Sequence, residues 1–172
     1  MHDMHCHLDL YDDPVAVAVS ANNSSIFTLA VTNLPSAYYA AKPHMRSFHH
    51  LKLALGLHPL LAEHHTSHEK RLFRRAFSET EYVGEIGLDF SSKDQETRET
   101  QIASIRLVLH LLQGQQKVVS IHSRRAESAM LDMLLEYGVG PVVFHWYSGP
   151  LTILDQIVER GDYFSINTAM VG

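Results

Sequence analysis

His5 and His7 flank Cys6 with the spacing that puts two imidazoles on one face of a strand and the thiol on the other. Imidazole is the commonest metal ligand, so an H-x-H strand end is a start toward a divalent-cation site. Two surface histidines at a strand end would read the same way. The run Val83-Gly84-Glu85-Ile86-Gly87-Leu88-Asp89 says more. Glu85 and Asp89 share a face with Gly87 between them, and inward carboxylates on an apolar strand are costly unless paired or bound to metal. An ion pair with an arginine would serve equally well. Gly84 and Gly87 weaken a strand and are tolerated where backbone or ligand must come close. His122 and Arg124 share a face after Ile121, His145 follows Phe144, and His58 precedes Pro59 at a turn. Each of these histidines alone reads as a hydrogen-bonded rim residue. Together they form a set.

The elements that must position this set alternate along the chain. β-type runs are expected at 1–7, 25–32, 51–57, 82–89, 118–122, 142–146 and 163–168, with helical spacing at 13–21, 35–49, 63–80, 95–115, 125–137 and 150–160. Pro14 and Pro150 suit first-turn positions, and Gly138 and Gly161 suit helix C-caps. Strict alternation predicts parallel strands joined by right-handed crossovers, in one domain over 1–172. The fold class expected is a TIM-type (β/α) barrel, incomplete at about seven strands, with the eighth strand and last helices absent. In such folds chemistry gathers at the carboxyl ends of the strands, where His5, His7, His58, Glu85, His122, Arg124 and His145 all fall. His44, His49, His50, His64, His65, His68 and His110 fall in helical or loop segments and are expected to be solvated or partly packed. Lys70, Arg71, Arg74 and Arg75 read as a solvated basic face.

Composition narrows the classes. Of 172 residues 45% are apolar and 19% charged, enough for one sizeable core. Fourteen basic against nineteen acidic side chains give a net charge of −5, against broad electrostatic attraction to nucleic acid or anionic lipid. A single cysteine excludes an internal disulfide and favours a reducing, cytoplasmic setting. No apolar run is long enough to span a membrane, and histidine and aspartate at once interrupt the N-terminus where a signal peptide would lie.

Asp3-Met4-His5-Cys6-His7-Leu8, Gly56-Leu57-His58-Pro59, Gly84-Glu85-Ile86-Gly87-Leu88-Asp89, Ile121-His122-Ser123-Arg124 and Phe144-His145-Trp146-Tyr147-Ser148-Gly149 occur in the order and spacing of the TatD family. The sequence therefore resembles metal-dependent deoxyribonucleases of the amidohydrolase-like barrel superfamily. Trp146-Tyr147, where the family usually has Cys-Phe, is similar to the TatD-like members of Qat-type anti-phage defence systems. The resemblance implies Glu85 as a carboxylate bridging two divalent ions, one held by His5 and His7 and the other by His122 and His145. It implies His58 and Arg124 facing the substrate phosphate, and Asp89 supporting the site from behind. The imidazole-rich donor set suits Zn²⁺ or Mn²⁺ better than Mg²⁺, although the family is described as magnesium-dependent. The family's eighth-strand aspartate has no counterpart before Gly172, and Asp155 and Asp162 belong to the wrong layer. One or two ions per chain and impaired hydrolysis are therefore expected. The partner implied is DNA, single-stranded or at its ends, with a protein partner or a second copy at the open barrel edge. A catalytically impaired subunit and a phosphatase or other hydrolase of the superfamily are the competing readings.

Overall fold

In a computed structural model, which describes residues 2–91, 97–167 and 170, seven parallel strands pair in sequential order. They are β1 (His2–Cys6), β2 (Phe27–Val31), β3 (Leu51–Leu57), β4 (Tyr82–Gly87), β5 (Val118–His122), β6 (Val143–His145) and β7 (Tyr163–Ser165). The helices between them are α1 (Pro14–Asn23), α2 (Pro35–Ala41), α3 (Ser67–Phe77), α4 (Arg98–Leu112), α5 (Glu127–Tyr137) and α6 (Leu151–Glu159). The sheet curls into a nearly closed barrel of TIM type. Among the described residues β1 and β7 come close without a hydrogen-bonded ladder between them.

The apolar residues explain the layering. Val83, Ile86, Ile121 and Phe144 on the strands meet Phe73 of α3, Ile105 and Leu109 of α4, and Met130 and Leu134 of α5 in one buried cluster. Burying a side chain of this size contributes roughly 1.5–3 kcal/mol, so this face holds the helices to the sheet. The expected stripe on α4 is real: Ile105, Leu109 and Leu112 are buried, and Ile102 packs against them half-covered.

Several boundaries shift for local reasons. The helix expected over 35–49 ends at Ala41 and tightens into a 3₁₀ stretch, Lys42–Ser47. Pro43 cannot donate a backbone N–H and crowds the preceding turn. The helix expected from residue 63 starts instead at Ser67, because Thr66 caps it by accepting the Glu69 N–H. A 3₁₀ stretch, Pro59–His64, fills the gap. The expected start of the 95–115 helix and the end of the 163–168 strand lie outside the described residues. Pro14 opens α1, Pro150 caps α6, and Gly138 ends α5 at φ 62°, the left-handed conformation that suits glycine.

Gly87 needs its missing side chain. A Cβ there would stand 1.9 Å from the His122 carbonyl oxygen, and φ is 141°. That close approach continues the β4–β5 register past the strand end: the Leu88 N–H donates to His122 O at 3.0 Å, and the Phe90 N–H to Arg124 O at 3.0 Å. Glu85, Asp89, His122 and Arg124 are thereby set side by side.

Candidate metal centre

Glu85 is the hub. It is 1% exposed, at the centre of β4, and four imidazoles reach its carboxylate. His5, His7 and His58 approach Oε2 through their Nε2 atoms at 3.2, 3.0 and 3.1 Å, and His122 approaches Oε1 through Nδ1 at 2.8 Å. Burial alone would raise the Glu85 pKa. The hydrogen bonds from His122, His5, His58 and His7 outweigh it and hold the carboxyl well below its ordinary range.

His5, His58, His122 and His145 each have a further partner that fixes the ring. His5 Nδ1 lies 2.9 Å from Ser120 Oγ on β5. Burial pushes the His5 pKa down, keeping the ring neutral as a ligand requires. His58 Nδ1 accepts the Leu60 N–H at 3.1 Å, so its proton sits on Nε2, which donates to Glu85. His122 lies between two carboxylates, with Nε2 donating to Asp89 Oδ2 at 2.7 Å. Burial would lower its pKa, but Asp89 and Glu85 raise it to about 9. The Asp89 carboxyl, which burial would raise, is drawn down to about 2 by His122 and the Ser91 hydrogen bonds. His145 stacks on His5 with ring centroids 3.3 Å apart, and its Nδ1 lies 2.8 Å from Ser165 Oγ on β7. Burial lowers the His145 pKa to about 3.

The donor set suits a divalent cation. His5, His7 and Glu85 form one group, and His58, Glu85 and His122 a second; in each, the potential ligand atoms all lie within 4.8 Å of one another. His5 Nε2 and His7 Nε2 stand only 3.2 Å apart, both aimed at one carboxylate oxygen, and the buried His7 Nδ1 has no hydrogen-bond partner among the described residues. Nitrogen atoms converging on one anionic oxygen are what a metal ion would bind. The sequence expectation grouped His122 with His145. The structure brings His122 to Glu85 alongside His58, and lays His145 on the face of His5. Asp155 is exposed on α6, while Asp162 is tied to Arg160 at 2.8 Å and accepts the Val142 N–H, so neither joins the cluster.

A cavity of about 510 Å³ opens over the hub, lined by His7, His58, His122, Arg124, His145 and Trp146 among others. Arg124 is exposed at its lip, and no carboxylate among the described residues pairs with it. Its guanidinium is therefore available as a fork of donors to an oxyanion. Metal-ready carboxylate and imidazoles at the floor, with a free guanidinium at the mouth, make an anion-hydrolysis site chemically plausible.

Comparison with known proteins decides the lineage. The family model described as TatD related DNase matches residues 2–172. The chain belongs to the TatD-related DNase family. This TatD-family chain is 28% identical over 92 residues to deoxyribonuclease TATDN3 of Homo sapiens, covering 52% of the chain and 34% of that protein. It is 32% identical over 93 residues to the putative deoxyribonuclease TATDN3 of Mus musculus, covering 52% and 31%. The fold superposes on the TatD homologue YjjV of Escherichia coli K12 with a TM-score of 0.84 at 23% identity, over 95% of this chain and 66% of that one. A hydrolase TatD family protein from Entamoeba histolytica gives 0.70 at 18% identity, over 95% and 64%. The matches thus span about a third of the curated relatives and just under two-thirds of the solved TatD structures. No helix among the described residues is long and apolar enough to cross a membrane.

Some supporting residues of the TatD-family site escaped the sequence reading. His65, expected to be solvated or partly packed, is 5% exposed; its Nε2 donates to His58 O at 3.0 Å, and Nδ1 lies 2.9 Å from Ser104 Oγ. Burial lowers its pKa to about 4, so it stays neutral in this role. Gln101, one turn before Ser104 on α4, accepts the Asp89 N–H at 2.8 Å. The buried polar edge of α4 therefore braces both the β3 and β4 loops. The signal was there in the helical phase: Gln101 and Ser104 fall on the same face as Ile105 and Val108. His65→Phe is expected to keep an aromatic ring but take the imidazole partner from the buried Ser104 hydroxyl and leave the His58 carbonyl with the Leu61 N–H alone. The expected stability loss is about 1–3 kcal/mol, read from urea denaturation.

The Asp89–His122 pair predicts a pH dependence for metal binding. The His122 pKa is raised in the metal-free protein, so a cation must displace its proton at any pH below about 9. Affinity should climb with pH up to that value and then level off. Asp89→Asn should flatten the climb and weaken binding by about 10–100-fold, because Asp89 orients His122 and supports its basicity. Calorimetric Mn²⁺ titrations at several pH values measure both.

Proposed function

We propose that the protein is a metal-dependent hydrolase of DNA phosphodiester bonds, acting on single strands or strand ends. The observation that carries this reading is the convergence of His5, His7, His58 and His122 on the buried Glu85, beneath a cavity with Arg124 at its lip. The names of the human and mouse relatives, a deoxyribonuclease and a putative one, support DNA as the substrate.

In this reading Glu85, His5, His7 and His122 would hold the divalent cations, with His145 beside them against the His5 ring. Cations held there supply positive charge against the phosphodiester and make water a stronger acid. The chain's own groups do the rest. Arg124 receives a non-bridging phosphate oxygen with a paired-donor geometry that lysine lacks. The Nε2–H of His58, fixed by Leu60, faces the same cavity and would donate to a second phosphate oxygen were Glu85 to hold a cation instead. Asp89 holds His122 in one ring orientation.

A divalent-ion series of Mg²⁺, Mn²⁺ and Zn²⁺ with a single-stranded oligodeoxynucleotide, and a phosphate monoester in parallel, tests this. Ion-dependent shortening of the oligonucleotide is the expected result. Release of phosphate from the monoester alone would favour a phosphatase. The unpaired β1–β7 seam, with Tyr163 62% and Ile166 71% exposed beside it, supports a second reading in which a partner chain or a second copy docks there. Light scattering of the purified chain reads self-association directly. Trp146-Tyr147 supports a cytoplasmic role in anti-phage defence, to be measured as phage plating on cells carrying wild-type or Glu85→Gln protein.

A further inference from the structure

We infer that Trp146 is a stacking platform for an unpaired nucleobase, so that the site engages single strands and frayed ends without reading base sequence. This rests on the nuclease reading above and specifies what holds the substrate beside the reacting phosphate. Trp146 is the chain's one tryptophan and is 54% exposed at the rim of the cavity, immediately after β6. The rest of the lining is polar: His7, His58, Glu85, His122, Ser123, Arg124, His145 and Ser148. These groups suit a phosphate and cations. Trp146 is the one large apolar side chain among the described lining residues.

The backbone holds the indole in place at a cost. Trp146 has φ 44°, a left-handed conformation that is an outlier for a bulky side chain. Such strain persists where surrounding contacts enforce it and clusters at ligand sites. Here the Trp146 N–H donates to Ser165 O at 3.3 Å, tying the residue to β7. The indole meets the His145 ring edge-on, centroids 6.2 Å apart at 78°, so it adjoins the metal centre. A base laid on it would bring its own phosphate toward Arg124, which lines the same cavity. With Arg124 taken by the phosphate and Glu85 and the imidazoles by cations, the base is held by its face, and stacking accepts every base because each has a π-face. Inside a duplex both faces of a base are already stacked, which restricts this subsite to single strands and ends.

The lone tryptophan is also the reporter. The probes are a phosphorothioate oligodeoxythymidylate, which resists cleavage, and an abasic phosphorothioate oligomer of equal length, both in Mg²⁺. Quenching of tryptophan emission by the first and not the second is expected. By fluorescence anisotropy of labelled oligomers, Trp146→Ala should weaken the base-bearing oligomer roughly tenfold relative to the abasic one, and Trp146→Phe should restore most of the difference. An unchanged ratio in Trp146→Ala, or equal quenching by both oligomers, overturns the inference. Cleavage of unmodified single strands by the wild type together with an unchanged ratio overturns it alone. Failure of the wild type to bind either oligomer or to cleave DNA overturns the nuclease reading as well.

Discussion

Glu85→Gln is expected to lose more than about a hundredfold in divalent-metal affinity and, with it, ion-dependent cleavage of single-stranded DNA. The estimate follows from its position: even groups that only orient a ligand commonly cost 10–100-fold, and Glu85 is the single group common to both donor sets. The substitution keeps the shape and removes the charge. It also turns one end of the side chain into a donor facing other donors, since three imidazole nitrogens approach Oε2 and one approaches Oε1. Calorimetry with Mn²⁺ and a gel assay on a labelled oligonucleotide measure the two effects separately. Undiminished metal affinity in the variant would mean that the cation sits elsewhere.

Gly87→Ala should cost about 3 kcal/mol or more of stability. A Cβ would stand 1.9 Å from the His122 carbonyl oxygen at φ 141°. The clash is with backbone and so cannot be relieved by turning a side chain. Relief would push β4 from β5 and carry Glu85 away from His122. Gly138→Ala is the useful comparison: nothing lies within 4 Å of an added Cβ there, so only the left-handed backbone opposes it, at about 1–2 kcal/mol. Urea midpoints of the two variants should differ accordingly.

Sequence periodicity made part of this site legible. His5, Glu85, His122 and His145 announce themselves because a strand repeats every two residues and a parallel barrel gathers strand ends at one rim. The glycines at 84 and 87 pointed to close approach, and at Gly87 the approaching group is the His122 carbonyl. The pairing of polar groups around that rim was harder to see. The family resemblance implies that His58, at a strand end just before Pro59, faces the substrate phosphate. That its Nε2 would touch Glu85 depends on the ring angle set by the Leu60 N–H, a contact that leaves no mark in spacing. His65 looked like its surface neighbours His64 and His68, since residue type alone does not distinguish a bridging imidazole from a solvated one. Gln101 and Ser104 were hidden by the apolar stripe beside them on α4. Polar residues that satisfy loops from a helix flank follow from tertiary docking rather than local pattern.

The central claim is that divalent cations bind at Glu85. Crystals grown with Mn²⁺ and measured for anomalous scattering test it most directly. Strong anomalous peaks within coordination distance of the Glu85 carboxylate, with His5, His7 or His122 completing the ligands, are the predicted result. A density map free of peaks at that carboxylate, or Mn²⁺ found only on surface groups such as Glu63 and His64, would contradict it.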